Sequence, residues 1–95
     1  MTMTPEKIKE TSNTGTGGGD WNVILWNNEY NTFDEVIMGL VSVIGLSPPQ
    51  AAGKAQEIHT KGKAIVKTAP QEHAEMYKDQ LESAIPGVSV TIEKV

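Results

Sequence analysis

Thr32 and Glu35 stand three residues apart at the head of an apolar run, and that spacing dictates where a helix must begin. A hydroxyl in the first position accepts the backbone N–H three residues on, while the carboxylate reaches back to the N–H of the first. Phe33, Val36, Ile37, Leu40, Val41 and Ile44 then recur at intervals of three and four, the signature of one broad buried helix face. Gly45 supplies the stop. Immediately upstream, Trp21 to Trp26 is a β-branched and aromatic run that reads as a strand. Its two tryptophans are an odd number of residues apart, so they point to opposite faces, and at least one is expected to be exposed or partner-facing.

The remainder continues in the same manner. Ser47-Pro48-Pro49-Gln50 combines an N-cap, a proline at the first helical position and a glutamine at N3, and so opens a second helix. Ala51, Ala55 and Ile58 form its buried stripe, His59 follows Ala55 by one turn, and Gly62 ends it. Residues 63–68 read as a second strand. Thr68, Pro70 and Gln71 are expected to start a third helix that buries Ala74, Tyr77, Leu81, Ala84 and Ile85. After the Pro86-Gly87 turn, Val88, Val90 and Ile92 alternate with polar residues as a last strand. The expected fold is α+β, in the order β-α-α-β-α-β. A small open sheet of three strands carries three helices on one face.

Residues 1–19 are expected to form a flexible arm ahead of a domain spanning 20–95. They hold Thr, Ser, Lys, Glu and a Gly17-Gly18-Gly19 run, with no apolar residue after Ile8. Such a segment buries too little surface to offset its ordering entropy. The rest is close to the size, roughly 70–80 residues, below which one core rarely suffices.

Composition excludes several classes of function. There is no cysteine, hence no disulfide or thiolate chemistry. The formal charge is -4 and arginine is absent, which argues against nucleic acid as a partner. No apolar run is long enough for a membrane span and no signal-peptide core is present, so a cytoplasmic protein is expected. A monomer is expected as well. HExxH, paired carboxylates and a nucleophile motif are all missing, so the chain reads as a non-enzyme without metal or cofactor.

Two features remain for chemistry: the Asn27-Asn28-Glu29 turn and His59. Amides at a strand end serve ordinary turn formation, and a histidine at a helix end suits the helix dipole. The alternative is convergence. Carboxamide oxygens and a neutral imidazole nitrogen are acceptors, and an ammonium has three donors to satisfy beside an apolar hole. A free N-terminal amine followed by a hydrophobic side chain fits that description.

Asn27-Asn28-Glu29-Tyr30-Asn31, His59-Thr-Lys-Gly62-Lys63-Ala64 and Thr91-Ile-Glu93-Lys94, in that order, resemble the motifs of the ClpS adaptors of bacterial AAA+ proteolysis. The similarity spans Trp21 to Val95. It implies a domain that captures proteins by a destabilising N-terminal residue (Leu, Phe, Tyr or Trp), the N-degron, and passes them to the ClpA unfoldase of ClpAP. By that resemblance Asn27 and His59 hold the α-amine, with Asn28, Glu29 and Asn31 beside them. Asn28 stands where the family has an acid that also contacts the amine, and Glu29 replaces the next acid. The resemblance assigns the side-chain pocket to Phe33, Val36, Ala55, Ile58 and Val88. Phe33 and Ala55 stand where the family usually has methionine. Glu72 matches an acid on the ClpA-facing side, and Tyr77 and Lys78 lie where the family has a lysine. A different reading is a module like the C-terminal domain of the ribosomal stalk protein, which binds translation factors. Such a module requires neither the amide turn nor His59.

Overall fold

The computed structural model describes residues 19–95. Except for Gly19, the expected arm lies outside the described residues. Strand β1 (Asp20–Trp26) leads through the amide turn to helix α1 (Phe33–Gly39), which runs on as a π-helical turn (Leu40–Ile44). Helix α2 (Pro48–Lys61), strand β2 (Lys63–Pro70), helix α3 (Gln71–Ala84) and strand β3 (Ser89–Lys94) complete the order. The strands form one antiparallel sheet, β2-β1-β3, with the first strand in the centre. This is the expected architecture.

Both capping boxes are in place. Thr32 Oγ1 accepts from Glu35 N–H at 3.1 Å and the Glu35 carboxylate accepts from Thr32 N–H at 2.9 Å. Ser47 and Gln50 repeat the exchange at 3.3 and 3.1 Å. One expected cap is absent. Thr68 lies within β2, its hydroxyl donating to Asn22 Oδ1 at 2.7 Å, and α3 starts after Pro70 without a side-chain cap. Pairing with β1 outcompetes capping here, because the strand runs two residues further than its composition indicates. The π-helical turn is likewise unforeseen: Gly45 N–H donates to Leu40 O, five residues back, at 3.1 Å.

The helices lie on one side of the sheet. Val23 and Leu25 of β1, Leu40, Ala51, Ile58, Ala64, Val66, Ala74, Leu81, Ile85, Val88 and Val90 make the continuous buried core. Trp21 packs against it. Trp26 is 37% exposed on the opposite face, where its indole N–H donates to Thr91 Oγ1 at 2.9 Å and Lys63 Nζ lies 4.7 Å from its ring. The predicted division of the two tryptophans is therefore realised. On α3, Ala74, Leu81 and the following Ile85 are buried and Tyr77 half so, but Ala84 is exposed.

Candidate functional site

The sheet places the end of β1 against the end of α2. Asn27 N–H donates to Gly62 O at 2.9 Å, so the first amide of the turn sits beside the glycine that stops α2, three residues beyond His59. Gly62 takes φ +89°, a conformation open to glycine, which lets its N–H return to Ile58 O while the chain turns into β2. His59 itself is exposed, and its ring meets Phe33 edge-on. The α1 cap puts Phe33 there, since it is the first residue of the helix.

A hollow of about 10 Å³ opens where these elements meet, space for roughly one water molecule. Leu25, Trp26, Asn27, Asn28, Asn31, Val36, Ile58 and Val88 line it. One flank is amide, the other aliphatic. Thus three of the turn residues expected at an amine site, and three of the five expected pocket residues, share one concavity. Ala55 is buried in α2, and Phe33 and His59 are exposed; none of the three lines the hollow. Glu29 is exposed on the turn.

The turn amides have definite partners. Asn28 Oδ1 accepts from the backbone N–H groups of Tyr30 and Asn31, both at 2.9 Å. Its Nδ2 donates to Asn31 Oδ1 at 2.8 Å and to Gly87 O at 3.3 Å. Asn31 Nδ2 donates in turn to Pro86 O at 2.9 Å and Glu35 Oε1 at 3.3 Å. Thr32 N–H, with help from the Asn31 amide, holds the Glu35 carboxyl below its usual range, against a small opposing effect of desolvation. Two contributors escaped sequence reasoning. The carbonyls of Pro86 and Gly87 are backbone atoms with no signature in side-chain identity, and Leu25 and Trp26 gave only the signal of ending the strand before the turn.

The candidate unfoldase contacts lie elsewhere, on α3, which contributes nothing to the hollow's lining. Glu72 is exposed in its first turn, Tyr77 packs under Lys67 with 5.6 Å between Nζ and ring centroid, and Lys78 pairs with Glu82 at 3.1 Å. Among the described residues, no group of three or more His, Cys, Asp or Glu side chains is placed to hold a metal, and no helix is long and apolar enough to cross a membrane.

Residues 18–86 match the family model of the ATP-dependent Clp protease adaptor protein ClpS. The chain belongs to the ClpS family. A ClpS adapter protein of Nostoc sp. is 37% identical over 84 residues, covering 87% of this chain and 84% of that protein. One from Synechocystis sp. is 36% identical over 81 residues, covering 84% and 81%. The fold matches that of Agrobacterium tumefaciens ClpS2 bound to L-phenylalaninamide, with a TM-score of 0.75 at 21% identity, covering 81% of this chain and 98% of that one. A ClpS adaptor of the Clp protease implies a Clp chaperone partner and protein substrates. Nothing in these matches supports the ribosomal stalk-like alternative.

Proposed function

We propose that the chain is a non-enzymatic adaptor that grips the free α-amine of an N-degron at Asn27 and His59 and delivers the protein to a ClpA-type unfoldase. The observation that carries this reading is the hollow, amide on one flank and aliphatic on the other, at the junction of the β1 exit with the His59 end of α2. A carboxamide oxygen and a neutral imidazole nitrogen accept from an ammonium, while Val36, Ile58 and Val88 offer an apolar surface to the side chain attached to it. The phenylalanine amide bound to the structurally similar ClpS2 has the same two parts, a free amine and a bulky apolar side chain.

A volume of about 10 Å³ is far too small for a leucine or phenylalanine side chain. Entry therefore requires the walls to part, a side-chain rearrangement of the kind common on binding. The first turn of α1 is the wall with solvent behind it, since Phe33 and Asp34 are exposed and Val36 only half-buried. Glu29, exposed on the turn after β1, adds negative charge near the amides. On α3, Glu72, Tyr77 and Lys78 are the proposed unfoldase contact, and residues 1–19 serve delivery, not capture.

The test is a peptide panel differing only at the first residue, each member also made N-acetylated. Peptides beginning with Leu, Phe, Tyr or Trp bind and their acetylated forms do not. Equal anisotropy titrations for blocked and free peptides would reject amine recognition.

A further inference from the structure

The amine grip and the apolar wall come from separate stretches of chain, the turn after β1 and the turn before β3. Two carboxamides join them. All the hydrogen bonds of this junction run in one direction, from the backbone N–H groups of Tyr30 and Asn31 into Asn28, from Asn28 into Asn31 and Gly87, and from Asn31 into Pro86 and Glu35. Neither amide can be turned over. Reversing Asn28 would aim its NH2 at two N–H donors, and reversing Asn31 would aim its oxygen at a carbonyl and a carboxylate. The relay ends on the Pro86 and Gly87 carbonyls, and the next residue, Val88, lines the hollow.

We propose that Asn28 and Asn31 are positioning residues that hold the Val88 wall in place against the amine grip, and that Asn28 does not itself hold the amine. The proposal rests on the reading of the site given above. Asn28 Oδ1 is already engaged by two N–H groups, and its NH2 is a donor with nothing to offer an ammonium. A carboxylate in its place would keep the two N–H contacts, lose both donors, and face its second oxygen toward Asn31 Oδ1 and the Gly87 carbonyl. A carboxamide is thus required at this position, where charge alone would favour an acid.

The decisive measurement compares free-amine peptides beginning with Leu and with Ala, on wild type and on Asn28→Ala and Asn28→Asp, well below their unfolding temperatures. Disrupting the relay displaces the wall, so affinity for the Leu peptide falls about tenfold, the scale of one or two lost hydrogen bonds. The Ala peptide changes much less, and the Leu-to-Ala ratio collapses. An equal fold-change for both peptides would instead make Asn28 an amine contact and overturn the proposal, as would no change in either. If the variants do not fold, the side-chain amide resonances of the wild type decide. Those of Asn28 stay fixed and exchange-protected when peptide is added while those of Asn27 move; movement of both equally overturns the proposal. A wild-type chain that binds free and acetylated peptides alike sinks the amine reading instead, and is a separate result.

Discussion

The ring of Phe33 meets the imidazole of His59 edge-on, with centroids 6.2 Å apart and planes inclined at 76°. The contact joins the first residue of α1 to the last turn of α2, and edge-to-face pairs of this kind contribute about 0.5–1.5 kcal/mol beyond their buried area. It therefore restrains a histidine that is otherwise exposed. His59→Ala removes one acceptor from the amine, and a hydrogen bond to a charged group is worth about 1.5–3 kcal/mol, so free-amine peptides bind roughly tenfold to a hundredfold more weakly. Phe33→Ala, which leaves the His59 imidazole in place but unrestrained, costs less. Calorimetric titration of both variants checks this; unchanged affinity in His59→Ala would remove that residue from the site.

Two helical glycines respond to alanine with opposite signs. A Cβ on Gly39, where φ is -63°, would collide with Cγ1 and Cδ1 of Ile85 inside the core. Gly39→Ala overpacks that contact and destabilises by about 1–3 kcal/mol. A Cβ on Gly53, in the middle of α2, meets nothing within 4 Å. Gly53→Ala gains about 0.5–1 kcal/mol from helix propensity. Urea denaturation of the pair measures both, and a neutral Gly39→Ala would contradict the close approach of α1 to Ile85.

Acid should loosen the start of α1. The Glu35 carboxyl titrates below its usual 4.5 in the folded chain, because Thr32 N–H and the Asn31 amide favour its ionised form. A depressed folded value means that the contribution is complete above the unfolded value and is lost as pH falls through the folded one. Glu35→Gln keeps an acceptor for both donors at every pH. The gap in melting temperature between wild type and this variant therefore shifts against the wild type as pH falls below about 4.5. A gap that is constant from neutral pH down to about 3 would show that the carboxylate adds nothing to the cap.

Removing residues 1–18 should leave peptide affinity unchanged. Every residue lining the hollow lies between Leu25 and Val88, and the chain's first described contact outside the strands is Val95 N–H to Asp20 O. Transfer of a substrate to the unfoldase is expected to slow in the same truncated protein. Loss of peptide binding would show that the N-terminal segment belongs to the capture site.

Local chemistry made most of the fold legible from residues alone. Thr32 with Glu35 and Ser47 with Gln50 mark helix starts, Gly45 and Gly62 mark helix ends, and strand alternation separates Trp21 from Trp26, because caps and periodicities are decided within a few residues. Asn27 and Asn28 stood out by the chemistry of their turn, but Asn31, Val36, Ile58 and Val88 could be named as site candidates only with the help of a family resemblance. Tertiary structure alone decided the rest. Thr68 was drawn into β2 by its partner strand, α1 passed into a π-helical turn, and the carboxamides of Asn28 and Asn31 were committed to the Gly87 and Pro86 carbonyls. In each case the deciding partner is backbone, or lies more than forty residues away along the chain, where side-chain identity carries no information about who will be adjacent.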